Sequence, residues 1–356
     1  MSKKLISTIF IALFLILSLI PSVGMLVQGE TKASANETLA SAPRVLNADD
    51  KLNVQVLKET SRYIDDRFAL RKQLVTAWAC LNAKVFHTSA EEQVILGSDG
   101  WLYYTPTVDD YMGRSLTEED LQRIGENLSA MQGYAEANGM RFLFTVAPNK
   151  NSLYAAHMPR SIAQAHEQAN INRLLPVLEE YGVRYVDLFS AFAGAGDCYY
   201  YKTDSHWNDR GAALAADALL SAAGKEEKYF DGSFVPGEGH LGDLYEMLYP
   251  LGRDREENVV YAPGFSFTTD GDPRGGEALK IKTRCEGAED KLFCWRDSFG
   301  ISLYPYLANS YAEAFFSRSV SYDFDQVNSF GADTVILEIV ERNLPNLAQM
   351  SFVTPD

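Results

Sequence analysis

Ser298 lies in W-R-D-S-F-G, Trp295 to Gly300, where the apolar run Leu292 to Trp295 gives way to a helical pattern from Ile301. A serine at the end of a buried strand presents its hydroxyl at the sheet edge, and N–H groups at the next helix start can hold an oxyanion. The same position also suits a helix cap, because serine is a preferred N-cap residue. A serine hydroxyl attacks well only when a base removes its proton. Among five histidines, His206 is set beside an acid, in Y-Y-Y-K-T-D-S-H-W-N with Asp204 two positions earlier and a helix beginning near Asn208. Residues two apart in extended backbone project to one side, so Asp204 can fix the imidazole tautomer and stabilise the imidazolium formed during transfer. The competing role for Asp204 is a helix cap, with His206 packed beside Trp207.

Other chemistries have weaker patterns. Asp204, His206, Asp209, His240 and Asp243 are ligand types, but no H-x-x-x-H or D-x-D spacing organises them, so no metal site is expected. His87, His157 and His166 are scattered and read as surface or packing residues. The four cysteines, 80, 198, 285 and 294, show no C-x-x-C spacing. Cys285 and Cys294 flank a short polar segment and are candidates for a disulfide outside the cell, with free buried thiols as the alternative. No cofactor is implied.

The elements that must position Ser298, His206 and Asp204 follow from periodicity. Thr117 and Asp120 form a capping-box pattern, Leu121, Ile124, Leu128, Met131 and Ala135 share a helical face, and Asn138-Gly139 supplies the stop. Phe142 to Val146 reads as a buried strand, Ile162 to Tyr181 as a helix, Val183 to Leu188 as a strand and Ala212 to Ala222 as a helix. Leu292 to Trp295, Ala312 to Phe316 and Thr334 to Val340 are further strands, with helices between them. Short apolar strands alternating with helices predict an α/β fold, a mostly parallel sheet covered by helices on both faces. Working residues in such sheets follow the C-terminal ends of strands, which directs attention past Val146, Trp295 and Val340. Asn149 and Lys150 follow the first of these, as candidate oxyanion donors or as a plain strand-to-helix turn. Tyr199, Tyr200, Tyr201, Trp207 and Trp295 crowd the motifs, suiting either a sugar-binding groove or core packing.

Upstream, Val54 to Phe86 reads as one or two amphipathic helices, and V-I-L-G-S-D-G-W-L-Y-Y, Val94 to Tyr104, as a hairpin turning at Asp99-Gly100. At the start of the chain, Lys3 and Lys4 precede an apolar run from Leu5 to Ile20, and the sequence stays mostly apolar to Val27. This is an export signal long enough to cross a bilayer, and the lysines favour an anchor with its N-terminal end in the cytoplasm. The alternative is secretion after cleavage near Ala33, Ser34 and Ala35. The expected organisation is 1–29 signal-anchor or signal peptide, 30–50 flexible spacer, 51–115 helical and hairpin extension, and 116–356 main domain with an insertion or lid near 224–285. In a chain of 356 residues, 46% apolar content and 12% aromatics can fill a large core, and a net charge of -16 excludes nucleic-acid recognition built on clustered Lys and Arg.

The D-S-H-W of Asp204 to Trp207 and the R-D-S-F of Arg296 to Phe299 together resemble the SGNH hydrolase-like proteins of the alginate O-acetyltransferase and DHHW families. The resemblance extends over Y-I-D-D-R-F-A-L-R from Tyr63, G-S-D-G-W-L-Y-Y from Gly97, P-N-K-N-S-L-Y from Pro148, and Glu341-Arg342. It covers residues 60 to 345. Ser205 stands where the DHHW pattern has a second histidine. The resemblance implies a flavodoxin-like SGNH fold with permuted motif order, and a triad of Ser298, His206 and Asp204. It also brings in Tyr304, Trp207 and Arg342, alongside Asn149 and Lys150, as substrate or oxyanion candidates. The implied activity is extracytoplasmic O-acyl transfer, specifically O-acetyl transfer, to a cell-wall or secreted polysaccharide through an acyl-serine. The implied donor partner is a membrane-bound O-acyltransferase. A carbohydrate esterase using the same triad and a non-catalytic glycan-binding component are the alternatives.

Overall fold

The computed structural model describes residues 3–27, 39–47, 50–166, 169–270, 279–319, 321–350 and 352. The cleavage candidates Ala33, Ser34 and Ala35, and much of the expected spacer, lie outside the described residues. The chain forms two compact units, Met1–Glu92 with Tyr245–Arg253, and Gln93–Leu244 with Asp254–Asp356.

In the first unit, α1 (Lys3–Val27) contains a 22-residue span, Lys4–Met25, long and apolar enough to cross a membrane, with none of it buried. Helices α2 (Val56–Arg67) and α3 (Arg71–Leu81) follow, and a π-helical turn over Asn82–Phe86 ends the amphipathic stretch.

The second unit opens with β1 (Val94–Leu96) and β2 (Leu102–Tyr104), an antiparallel hairpin whose turn uses positive φ at Asp99 and Gly100. Gly100 takes this conformation at no steric cost. The hairpin is part of this unit, which begins at Gln93. After α4 (Val108–Tyr111), α5 (Glu118–Ala137) starts with the Thr117–Asp120 capping box and buries Leu121, Ile124, Leu128, Met131 and Ala135.

Then come β3 (Arg141–Ala147), α6 (Lys150–Leu153), α7 (Asn170–Glu180), β4 (Tyr185–Val186), α8 (Leu188–Ala195) and α9 (Asp209–Ala222). Helix α7 starts at Asn170, later than the periodicity predicts. Strand β4 keeps only two residues, because Asp187 accepts the Ser190 N–H and starts α8 at Leu188. The remaining elements are β5 (Phe234–Pro236), α10 (Asp243–Leu248), β6 (Val259–Tyr261), β7 (Thr268–Thr269), β8 (Lys280–Arg284), β9 (Lys291–Trp295), α11 (Gly300–Ala308), β10 (Glu313–Ser317), α12 (Phe324–Phe330), β11 (Thr334–Val340) and α13 (Leu344–Gln349).

The main sheet has the order β4-β3-β11-β9-β10-β8-β7. Strands β4, β3, β11, β9 and β10 run parallel, and β8 and β7 close the sheet as antiparallel neighbours. Side chains alternate between two cores, as a period of two requires. Leu143, Leu292, Cys294, Ala314 and Ile336 pack with α8, α9 and α11, while Phe142, Phe144, Phe293, Trp295, Val335 and Leu337 pack with α5, α7, α12 and α13. This is a mixed α/β fold with helices on both faces.

The stretch near 224–285, expected as an insertion or lid, carries strands. Strands β5 and β6 pair antiparallel, and β7 and β8 extend the main sheet, while residues 271–278 lie outside the described residues. All four cysteines are free. Of the two readings for Cys285 and Cys294, the free thiols hold, because β10 runs between β8, which Cys285 follows, and β9, which carries Cys294. Two strand spacings of about 4.8 Å each exceed the reach of a disulfide.

Candidate functional site

Ser298 follows β9, an interior strand, and its position is set by its neighbours. The Asp297 carboxylate accepts the Phe299 N–H at 2.9 Å and the Val340 N–H at 2.6 Å, while the Asp297 N–H donates to Glu338 at 3.1 Å. Asp297 thus fixes the turn around Ser298, and the N-cap position of α11 is Phe299, with no side-chain cap. The Ser298 hydroxyl is engaged elsewhere, 2.9 Å from His206 Nε2.

Asp204 and His206 lie in a tight loop between Tyr200 and Trp207, which face each other in an antiparallel bridge. Asp204 is buried. Its Oδ1 accepts the His206 backbone N–H at 2.9 Å and lies 2.8 Å from His206 Nδ1. A proton on Nδ1 leaves Nε2 free to accept from Ser298. Burial raises the Asp204 carboxyl, but hydrogen bonds and charge from His206 and His240 outweigh it and hold the group well below the usual carboxylate range. At His206, burial lowers the imidazole, yet the Asp204 hydrogen bond and the charges of Asp204 and Asp243 leave it above its ordinary value, with Arg342 opposing them.

Two residues from the supposed insertion complete this network. His240 Nε2 donates to Asp204 Oδ2 at 2.8 Å, and the Asp243 backbone N–H donates to the same oxygen at 3.0 Å. The Asp243 carboxylate accepts the Ser205 N–H at 2.7 Å and the Ser205 hydroxyl at 2.6 Å, and lies 3.5 Å from His206 Nδ1. Burial, then the charge of Asp204, raises the Asp243 carboxyl. Sequence reasoning noted His240 and Asp243 only as ligand types. The usable signal was G-E-G-H-L-G-D, because a Cβ on Gly242 would meet the Thr203 carbonyl oxygen at 2.2 Å, so only glycine lets this segment touch the Asp204 loop. Asp204, His206 and Asp243 each bring a ligand atom within 4.8 Å of the others. The Asp204 oxygens already face four N–H donors, so the donor set is that of a hydrogen-bonded network and does not fit a cation.

The remaining candidates divide. Arg342 lies with its guanidinium 5.5 Å from the centroids of both Phe299 and Tyr104. Lys150 is buried, and its ammonium donates to the carbonyls of Tyr201, Lys202 and Asp204 at 3.1, 2.9 and 2.5 Å. All three donors are engaged, so Lys150 holds the Asp204 loop and has no proton to offer an oxyanion. Asn149 is also buried, donating through its side chain to Asp110 and through its backbone to Glu341.

Tyr304 packs against Phe267 and Phe316. Trp207 is buried, stacked on Phe192 and edge-on to Phe299, and its indole N–H donates to Ser302 at 2.8 Å. It cannot offer a flat face to a sugar. Tyr199 and Tyr200 are buried as well, and Trp295 is core. A cleft of about 280 Å³ beside the network is lined by residues including Tyr201, His206, His240, Asn258, Val260 and Ile301.

Residues 94–260 match the family model described as SGNH hydrolase-like domain, acetyltransferase AlgX. The matched segment holds Asp204, His206, His240 and Asp243 and ends before Ser298. Among curated proteins, the chain is similar to the probable alginate O-acetylase AlgJ of Pseudomonas syringae pv. tomato, 27% identical over 243 residues, 64% of this chain and 59% of that one. It is similar also to AlgJ of Azotobacter vinelandii, 24% identical over 209 residues, 55% and 52% of the two chains. The chain thus spans a little over half the length of these relatives. Among solved structures, Bacillus cereus PatB1 aligns with a TM-score of 0.58 at 19% identity over 70% of this chain and 97% of that one. A DHHW family protein from Eubacterium siraeum aligns at 0.50 and 18% identity over 64% and 88%. At these identities the two structures speak to the fold. The resemblance to SGNH hydrolase-like proteins of the alginate O-acetyltransferase and DHHW type thus appears in sequence and in architecture.

Proposed function

We propose that this chain is an extracytoplasmic SGNH-type serine O-acetyltransferase that carries an acetyl group on Ser298 and delivers it to a hydroxyl of a cell-wall or secreted polysaccharide. The observation that carries the reading is the 2.9 Å separation of Ser298 Oγ from His206 Nε2, with Asp204 Oδ1 2.8 Å from the other ring nitrogen. His206 takes the Ser298 proton as Oγ attacks the acetyl carbonyl carbon of the donor. The tetrahedral oxyanion is held by the Gly300 N–H, since the Phe299 and Ile301 N–H groups bond Asp297 and the Ser298 carbonyl, with the Arg342 guanidinium nearby. As that intermediate collapses, the leaving group takes the proton from His206. The acceptor hydroxyl then gives its proton to His206, attacks the acyl-serine carbonyl, and Ser298 leaves with that proton restored.

The donor on this reading is a membrane-bound O-acyltransferase, and α1 acts as a single-pass anchor that keeps the domain beside it, outside the cytoplasm. The curated relatives named as alginate O-acetylases support acetyl as the group and a polysaccharide as the acceptor. The test is to incubate the whole chain, in detergent, with a chromogenic acetyl ester, with and without candidate glycans. Acetyl-Ser298 in the mass spectrum and acetylated glycan are expected. Rapid hydrolysis with no transfer to any glycan makes the chain an esterase instead, and no acetyl-Ser298 with no turnover overturns the catalytic reading.

A further inference from the structure

One carboxylate, that of Asp204, is shared between two imidazoles. Its Oδ1 serves the ring and backbone of His206, and its Oδ2 accepts from His240 Nε2 at 2.8 Å and from the Asp243 N–H at 3.0 Å. His240 is itself held firmly. Its ring stacks on Tyr201 with centroids 3.8 Å apart, and the Tyr201 phenol donates to Asn258 at 2.6 Å. The His240 backbone exchanges hydrogen bonds with Glu256 at 2.9 and 2.8 Å. The Glu256 carboxylate in turn accepts the N–H groups of Lys202 and Thr203, each at 2.7 Å. The segment bearing His240 and the loop bearing Asp204 are therefore tied together on both sides of the His240–Asp204 contact.

We propose that His240 is a positioning residue for the Asp204–His206 pair. The proposal rests on the triad reading above. The terminal torsion of an aspartate is broad and two-fold, and without His240 only the Asp243 N–H would hold Oδ2 against rotation away from His206. Donors on both oxygens fix the plane that points Oδ1 at His206 Nδ1. The second donor also draws on the negative charge of Asp204, limiting how strongly that charge favours the imidazolium of His206. The other charges facing this pair are Asp243 and Arg342 at His206, and the Lys150 ammonium at the Asp204 carbonyl. His240 is the side chain on Oδ2.

The experiment compares His240→Ala and His240→Gln in the whole chain, labelled with ¹⁵N-histidine and held in detergent. The His206 imidazole is titrated by NMR, and kcat and KM for a chromogenic acetyl ester are measured across pH. With Ala, the His206 titration moves to higher pH and kcat falls roughly 10- to 100-fold as the base loses its alignment, while KM stays near the parent value. Gln, whose amide N–H can reach a carboxylate oxygen, restores most of both. The proposal is overturned if the Ala variant keeps the parent titration and kcat, or if Gln is no better than Ala. A chain that turns over no ester, yet shows the His206 shift and its rescue by Gln, defeats the acetyl-transfer reading and leaves the positioning role standing. Normal turnover with no shift does the reverse.

Discussion

The ammonium of Lys150 donates to the main-chain carbonyl of Asp204 at 2.5 Å, so a cation at the head of α6 holds the backbone of the acid that partners His206. Two further carbonyls, of Tyr201 and Lys202, complete its coordination. Burial lowers the Lys150 amine to about 8, against the pull of Asp204, Asp243 and Glu256. Lys150→Met keeps the stem and removes the donors. It is expected to cost about 1–3 kcal/mol for each carbonyl left unsatisfied, read by denaturant unfolding, and to lower kcat as the 201–204 loop loosens.

Ser298→Ala removes the atom on which acetyl would ride. Turnover of an acetyl ester should fall by roughly 10³-fold or more, and a sulfonyl fluoride that marks the parent chain at residue 298 should leave the variant unmodified in the mass spectrum. Far-UV and near-UV circular dichroism should not change, because Asp297 and not Ser298 holds the local turn.

The pH dependence of kcat/KM has a definite sign. On the proposed mechanism His206 works as a base only when neutral, and the Asp204 and Asp243 charges place its imidazole above the ordinary value of 6.5 despite burial. Activity should therefore decline on acidification through a midpoint above 6.5. An acid limb centred below that value would contradict the electrostatics of the site.

Stability is expected to move with pH at Glu341, which is buried and accepts from Asn149 and Ser152 at 2.9 and 2.6 Å. Burial raises its carboxyl from 4.5 to about 7. The folded state then binds the proton more tightly than the unfolded chain, so this contribution is whole below pH 4.5 and is lost as pH rises through about 7. Glu341→Gln, which cannot ionise, should flatten the decline in Tm between those limits. An unchanged slope would show that Glu341 does not carry it.

Much of the sheet was legible because its signal is local. Phe142 to Val146 and Thr334 to Val340 are mostly apolar runs, broken inside only by Thr145 and Glu338, and buried parallel strands read that way. The α5 face was legible from Leu121 to Ala135 for the same reason, at a period of 3.6. The pairing of Asp204 with His206 was readable because the two are neighbours in sequence, whereas the contact of His206 with Ser298 joins residues that only the fold brings together. His240 and Asp243 were faint because their segment has no period and only its glycines mark it; what fixes it is backbone contact at Gly242 and bridging to Glu256. The aromatic cluster left two readings open. Trp207 and Tyr200 look like sugar platforms in sequence, but burial in a core cannot be read from residue type alone.

The middle of the sheet is made late. Strand β11 lies between β3 and β9, pairing Thr334 with Arg141 on one side and with Leu292 on the other. The loop carrying Asp204 and His206 is tied by Lys150 to the end of β3, while Ser298 follows β9. Until the ribosome has supplied residues 334–340, nothing in the sheet joins these two halves. Closing such distant pairings is slow compared with forming local helices. The serine and its partner histidine thus depend on strands on opposite sides of β11, and the sheet fixes their separation only once β11 is in place.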